Sequence, residues 1–102
     1  MNGKVFVVLF DAKIKTSTDK RQYLSFVKLL KRDGFTLLQK SVYIKFCVES
    51  LSLKSQSCRI KNFTPVNIQA IILAIPVNTL LEGAYLNCES PEFIENKKII
   101  CI

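Results

Sequence analysis

One carboxylate near the start of the chain is followed closely by two cations. Asp11 ends an apolar run, and Lys13 and Lys15 come directly after it in a polar loop. A carboxylate is a hard oxygen ligand suited to Mg²⁺ or Mn²⁺, and nearby cations can pair with phosphate oxygens. The pattern fits metal-dependent phosphodiester hydrolysis. By spacing alone, an aspartate that begins a loop and bonds nearby backbone N–H groups is the favoured interpretation.

A metal site built on Asp11 requires a second copy of the chain. One carboxylate holds Mg²⁺ poorly, whereas a two-fold homodimer would supply two, one Asp11 from each copy. The sequence contains no histidine. Because no imidazole is available as a general acid or base near neutral pH, the nucleophile would have to be water activated by the metal.

The distribution of charge is uneven along the chain. The net charge is +7, and residues 1–46 hold ten basic side chains against three acidic ones, while residues 47–102 hold five of each. This asymmetry predicts one basic face, which attracts polyanions, nucleic acid in preference to an anionic membrane. A solvated basic surface that serves only solubility is the alternative.

Cysteine usage and hydropathy argue for a cytoplasmic protein without a membrane span. The four cysteines include no C-x-x-C pair, so we expect them to be reduced, buried small hydrophobes rather than zinc ligands. Val5–Phe10 is too short for a signal peptide, and no stretch approaches the roughly 20 apolar residues of a membrane span. The cysteines are Cys47, Cys58, Cys88 and Cys101.

The first half of the chain predicts a strand, a helix and two short strands. Val5–Phe10 is a continuous β-branched and aromatic run, typical of a central strand covered on both faces. Thr18 is the predicted cap of an amphipathic helix that Gly34 ends. Residues 35–47 read as two strands divided by a kink near Gln39–Ser41, the second with one buried face.

The second half predicts a weaker helix over Glu49–Phe63 and an apolar strand over Ile68–Ile75. The inward positions expected on that helix are Leu51, Leu53, Cys58, Ile60 and Phe63. The order β-α-β-β-α-β predicts an α+β, ferredoxin-like fold for residues 1–76. We expect the first and last strands together in the middle of an antiparallel sheet and both helices on one face.

Residues 77–102 form a predicted C-terminal extension of the same domain. It holds a short helix over Val77–Leu81, an acidic loop over Glu89–Glu95 and a terminal strand over Ile99–Ile102. We expect the extension to contribute to dimer or partner docking. The hydrophobic fraction of 49% exceeds what so small a core can hide, so we expect a homodimer.

Two segments resemble a known family, the CRISPR-associated protein two family, which is the small partner of the CRISPR integrase. The first is the strand that ends in Phe10 and Asp11. The second is residues 33–43, DGFTLLQKSVY, directly after a basic amphipathic helix. The form found in type II systems is most similar, and the resemblance is specific over about residues 4–47.

The resemblance implies a homodimer that bridges two integrase dimers, and in some members a metal-dependent nuclease activity. It implies a metal-ligand role near the dimer two-fold for Asp11, with Phe10 at the aromatic position before it. Ser41 matches the serine of the Q-x-S motif, and nucleic-acid contacts correspond to Lys13, Lys15, Lys20 and Arg21. The chain lacks the proline often seen after that aspartate, and its tail from Val77 matches nothing in the family.

Several functions remain open at this point. The chain could be a scaffold that holds duplex DNA, a metal-dependent endonuclease on RNA or DNA, or both. A toxin-type ribonuclease related to virulence-associated protein D is the alternative with the same fold. An RNA-binding module is disfavoured because its K-G-F-G-F-V-x-F type of motif is absent. Ser41 has no base beside it in sequence, so we expect it to bond the backbone at the kink rather than act as a nucleophile, and Tyr43 and Phe35 to be core or interface aromatics.

Overall fold

The chain folds into one four-stranded antiparallel sheet with helices on both faces. The computed structural model describes residues 3–47 and 51–87, and the strand order is β2-β3-β1-β4. The predicted ferredoxin-like α+β architecture is confirmed. The elements are β1 (Lys4–Ala12), α1 (Ser17–Arg32), β2 (Thr36–Gln39), β3 (Val42–Phe46), α2 (Leu53–Lys61), β4 (Ile68–Pro76) and α3 (Val77–Leu81).

The position of the last strand corrects one prediction. β4 pairs with β1 over its whole length, from Lys4 opposite Pro76 to Ala12 opposite Ile68. The two strands are therefore neighbours, as expected, but β3 shares the middle of the sheet with β1. The β2–β3 hairpin docks through β3 on one edge of β1. This leaves the opposite edge of β1 to β4, and no described residue pairs beyond β4.

One face of the sheet carries the main core. Phe6, Val8 and Phe10 of β1 point to this face and pack against α1 and α2, as the two-residue period of a strand requires. The predicted placement of both helices on one face is therefore correct. The buried partners of β1 in this core are Phe26, Leu30, Phe35, Tyr43, Ile60 and Ile68.

The other face is only half covered, by α3. Val77, Leu80 and Leu81 of α3 pack on Val5, Val7 and Ile44. The predicted helix over Val77–Leu81 is confirmed, and the prediction of one buried face for β3 is wrong. Tyr43 enters the main core, while the next residue, Ile44, is buried under α3.

Both ends of α1 have side-chain or glycine signals, one of which differs from the prediction. The N-cap is Thr16, not Thr18, because the hydroxyl of Thr16 accepts a hydrogen bond of 3.0 Å from the amide of Asp19, three residues ahead. At the other end Gly34 has φ +102°, a left-handed conformation that favours glycine. Gly34 is thus the stop that the sequence predicts.

α2 is shorter than predicted and presents a different face. Ile60 and a polar residue, Gln56, are buried, whereas Leu53 and Cys58 are exposed, so their predicted inward positions are wrong. Cys47 is half-buried and both described cysteines are free thiols. The expectation of buried cysteines therefore fails for Cys58. The predicted acidic loop, the terminal strand, Cys88 and Cys101 lie outside the described residues.

Helix length also bears on membrane insertion. None of the helices in residues 3–47 and 51–87 is long and apolar enough to cross a membrane.

Candidate functional site

Asp11 lies near the end of β1 on the half of the sheet that α3 leaves open. It pairs with Gln69 of β4, and both residues are exposed. Among the residues that the structure describes, none forms a hydrogen bond or an ion pair with the Asp11 carboxylate. The backbone contact expected of a loop-starting aspartate is therefore not found, and the carboxylate is available to a ligand.

Phe10 anchors the strand directly before this carboxylate. Its ring is buried and makes an edge contact with Phe26, with ring centroids 5.1 Å apart, and a stacked contact with Tyr43 at 5.9 Å. Because neighbouring side chains of a strand point to opposite faces, burying Phe10 against the helices turns Asp11 to the open face. The phenylalanine and aspartate in sequence thus do two different jobs.

An apolar strip runs along the open face and ends beside Asp11. Leu9, Ile71 and Leu73 are 36%, 61% and 47% exposed. Leu9 lies opposite Ile71 in the sheet, and Leu73 lies opposite Val7. The Leu9–Ile71 pair is two residues along the strands from the Asp11–Gln69 pair and is therefore next to it on the same face. A shallow depression of about 280 Å³ connects Leu9 and Ile71 with Asp11 and Gln69. We call Leu9, Ile71 and Leu73 the apolar strip.

The four predicted nucleic-acid ligands are all exposed and close together along the chain. Lys13 and Lys15 lie in the four-residue loop between β1 and α1, and Lys20 and Arg21 lie on the first turns of α1. The loop follows Asp11 directly, since β1 ends at Ala12. The structure therefore brings a carboxylate without a partner among the described residues and four exposed cations to the same end of the molecule. We call residues 13–16 the basic loop.

The basic loop is tied to the rest of the fold by its backbone. The amide of Lys13 donates to the carbonyl of Asn67 at 2.8 Å, and the side-chain amide of Asn67 donates to the carbonyl of Lys13 at 3.0 Å. The amide of Lys15 donates to the Asp19 carboxylate at 3.1 Å. Asn67 lies 54 positions after Lys13, and no motif or periodicity in the sequence predicts that the two residues meet.

Ser41 lies in the turn between β2 and β3, beside the Asp11 end of β1. Its φ is +65°, in the left-handed region, at the turn between β2 and β3. Its backbone carbonyl accepts a hydrogen bond of 3.1 Å from the amide of Phe10. Ser41 therefore supports the strand that carries Asp11 through its backbone.

One copy of the chain offers a single carboxylate, that of Asp11, to a metal ion at this place. No group of three or more histidine, cysteine, aspartate or glutamate side chains comes together within residues 3–47 and 51–87. The chemistry of the donor still fits Mg²⁺ or Mn²⁺, because the carboxylate is exposed and has no protein partner in that part of the chain. Completing such a site takes a second carboxylate from another copy.

The second motif segment, residues 33–43, begins with an aspartate in a quite different setting. Asp33 caps the end of α1, and its side chain is 8% exposed. It accepts a 2.6 Å hydrogen bond from the buried Gln56 amide, whose oxygen accepts one of 2.9 Å from Lys45. Lys45 also lies 3.6 Å from the carboxylate, and Arg59 forms an ion pair with it. We call Asp33, Lys45, Gln56 and Arg59 the Asp33 network.

Comparison with known proteins gives a consistent family. The family described as "CRISPR associated protein Cas2" matches residues 4–79. The CRISPR-associated endoribonuclease Cas2 of Ligilactobacillus salivarius (strain UCC118) is 35% identical over 69 residues, which cover 66% of this chain and 68% of the relative. That of Lacticaseibacillus rhamnosus (strain GG) is 34% identical over 59 residues, 58% of each chain. That of Streptococcus mutans serotype c (strain NN2025) is 27% identical over 90 residues, 88% and 84% of the two chains.

Proposed function

The chain belongs to the CRISPR associated protein Cas2 family, and from this premise we propose that it acts in spacer acquisition as a homodimeric scaffold. In this role it binds duplex DNA and bridges the subunits of the CRISPR integrase in the cytoplasm. The membership disfavours the toxin-type ribonuclease. One observation carries the proposal: the apolar strip ends at a carboxylate without a protein partner in the described chain, next to the basic loop.

The apolar strip is the proposed dimer contact. Leu9, Ile71 and Leu73 lie in adjacent strands on a face that α3 covers only in part. A two-fold dimer uses the same patch on both copies, so each strip would cover its counterpart. Asp11 lies two residues after Leu9, on the same face of β1. The same contact would therefore bring the two Asp11 carboxylates towards each other.

The oligomeric state tests this contact directly. We expect the protein to sediment as a dimer at micromolar concentration and Ile71→Asp to sediment as a monomer, because an aspartate would be buried without a partner. Leu24→Asp is the matched control, since Leu24 is 55% exposed on α1, which packs on the opposite face of the sheet. A wild-type monomer of 11.6 kDa would contradict both the dimer and the paired Asp11 site.

Duplex DNA is the proposed polyanion on the basic side. The basic side chains proposed to bind it are all exposed: Lys13, Lys15, Lys20 and Arg21. They would contact the phosphates of any DNA sequence, so affinity would come from the DNA backbone with little readout of the bases. The polar contacts of the basic loop hold its main chain, which leaves its two lysine side chains to the ligand. This arrangement suits a scaffold that must accept many different spacer sequences.

The salt dependence of binding measures these contacts. With about four to six phosphates contacted per dimer, a plot of log K against log salt should have a slope near −4 to −5. Lys13→Ala combined with Lys15→Ala removes four of the eight proposed cations of the dimer and should therefore flatten the slope by about half. Lys54→Ala combined with Lys61→Ala removes the same charge from exposed positions on α2 and should leave the slope unchanged. Equal flattening by both pairs would contradict the proposed basic face.

We also propose a metal-dependent endonuclease activity on RNA or DNA, centred on the two Asp11 carboxylates. The named relatives are endoribonucleases, and the exposed Asp11 side chain is suited to Mg²⁺ or Mn²⁺. A bound divalent ion would neutralise charge on the scissile phosphate and make water more acidic. Asp11 would hold that ion, and Lys13 and Lys15 would orient the phosphodiester. The chain contains no histidine. It therefore offers no side chain with an ordinary pKa near 7 that could accept a proton from the attacking water.

A further inference from the structure

Asn67 joins three parts of the chain at the start of the basic loop. It precedes β4, which starts at Ile68. Its carbonyl accepts from the amide of Lys13 at 2.8 Å, and its side-chain Nδ2 donates to the carbonyl of Lys13 at 3.0 Å. The same Nδ2 donates to the carbonyl of Asp19 in α1 at 3.3 Å. One asparagine therefore connects the basic loop to the sheet and to the first turn of α1.

Asp19 holds the other end of the same loop. Its carboxylate accepts from the amide of Lys15 at 3.1 Å, and its amide donates to the hydroxyl of Thr16 at 3.0 Å. Only residues 13–16 separate β1 from α1. The amides of Lys13 and Lys15 are thus both bonded within the fold, while both residues remain exposed. The loop has a fixed main chain and free cations.

We propose that Asn67 is a positioning residue for polyanion binding, which sets the main-chain conformation from which Lys13 and Lys15 reach phosphates. The proposal rests on the duplex-binding function proposed above. A loop that is already ordered loses less conformational freedom on binding, and this raises affinity without adding a contact. Asn67 itself touches no phosphate in this role. Its effect on binding passes through the two lysines.

Asn67→Ala keeps every cation and removes the side-chain donor. We expect the Kd for a duplex of random sequence, measured by fluorescence anisotropy, to rise about 5- to 10-fold, in line with the ordering cost of a short loop. The salt slope should stay unchanged, because the same lysines still meet the same phosphates. Asn78→Ala is the matched control, since Asn78 is exposed on α3, and its Kd should equal that of the wild type.

A double-mutant cycle separates positioning from a general structural role. In a protein that already carries Lys13→Ala and Lys15→Ala, Asn67→Ala should change the Kd by less than about 2-fold, because residues that act through one another are not additive. A 5- to 10-fold effect that persists without the lysines would overturn the proposal. So would a wild-type Kd in the Asn67→Ala protein. In both cases the duplex-binding function itself stands.

Hydrogen exchange on the protein without DNA gives the second readout. In Asn67→Ala the amides of Lys13 and Lys15 should exchange at least about 10-fold faster, with Val7 in the core unchanged. Equal loss of protection at Val7 would show that Asn67 serves the whole fold and would overturn the proposal. If Asn67→Ala does not fold, the shorter donor of Asn67→Ser is measured with the same expectations. A wild-type protein that binds no duplex would overturn the proposed function, and the role of Asn67 with it.

Discussion

Asp11 and Asp33 belong to the two motif segments of this chain and lie beyond opposite ends of α1, a 16-residue helix about 24 Å long. Asp33 is nearly buried and bonded to Gln56, Lys45 and Arg59. Asp11 is exposed, and no residue in the described chain bonds its carboxylate. The same side chain is therefore used for two purposes. One aspartate holds elements together, and the other is open to something outside the chain.

The difference can be read from what each carboxylate costs the fold. A buried carboxylate is tolerated only when hydrogen bonds and opposite charges offset its lost hydration. Asp33 has both, and it connects the end of α1 with β3 through Lys45 and with α2 through Gln56 and Arg59. Asp11 keeps its hydration and connects nothing within the described residues. Stability should therefore depend on Asp33, and the proposed nuclease activity on Asp11.

The largest expected effect is on stability at the Asp33 network. Asp33→Ala leaves the Gln56 amide, which is fully buried, without its acceptor and Lys45 without its charge partner. We expect the free energy of unfolding in urea to fall by about 2–4 kcal/mol. Asp11→Ala is the matched substitution at the open end, and it should cost no more than about 0.5 kcal/mol at the same protein concentration. Equal losses from the two variants would remove the distinction between the two aspartates.

The second effect is on cleavage at the open end. Asp11→Asn keeps the shape of the side chain and removes the charge that would hold a divalent ion. We expect Mg²⁺- or Mn²⁺-dependent nuclease activity to fall at least about 100-fold, or about 2.7 kcal/mol in the barrier. Duplex binding and spacer integration with the partner should be retained. Binding should tighten slightly, because two negative charges leave the dimer.

Two controls test whether the loss of cleavage in Asp11→Asn comes from the missing charge: the stability of that variant, and a substitution in the Asp33 network. Dimerisation and the urea midpoint should match the wild type, which excludes misfolding as the cause of lost cleavage. Asp33→Asn, which keeps shape at the buried end, should retain cleavage per folded molecule. An Asp11→Asn protein that folds and dimerises but no longer supports spacer acquisition would contradict the scaffold role.

The sequence predicts β1 and α1 well because each carries a strong local pattern. The unbroken apolar run of Val5–Phe10 indicates a central strand, and Phe26 and Leu30 are one helical turn apart on the buried side. β4 shows the limit of this reasoning. Its apolar run, Ile68–Ile75, looks the same on both faces, yet Ile71 and Leu73 are exposed. Whether a face is covered depends on α3, which follows β4 directly.

Sequence spacing indicates Asp11, Lys13 and Lys15 as a candidate site, and the family resemblance adds Lys20 and Arg21. The structure places these residues, all exposed, at one end of the molecule, and their functional roles stay predictions. The hydrogen-bond partners of the motif segments cannot be predicted from spacing, because they come from distant parts of the sequence: Asn67 for Lys13, and Gln56 for Asp33. Burial of Gln56 runs against its polarity and becomes favourable only once Lys45 and Asp33 saturate its amide. No local pattern carries that information.

The smallest expected effect concerns the core that supports the open end, where Tyr43 stacks on Phe10. Burial raises the pKa of the Tyr43 hydroxyl above its usual value of 10.0, and the charge of Tyr23 raises it further. The folded state thus disfavours the ionised ring more than the unfolded state does. This contribution to stability is complete below pH 10 and decreases as the pH rises above it.

Unfolding in urea between pH 8 and 11 measures this contribution. The free energy of unfolding should fall more steeply with rising pH in the wild type than in Tyr43→Phe, which keeps the stacked ring. Tyr23→Phe removes only the smaller of the two causes, so its alkaline loss should lie between those of the other two proteins. Parallel losses of stability in the wild type and Tyr43→Phe would contradict the burial of the Tyr43 hydroxyl in the core that holds Phe10.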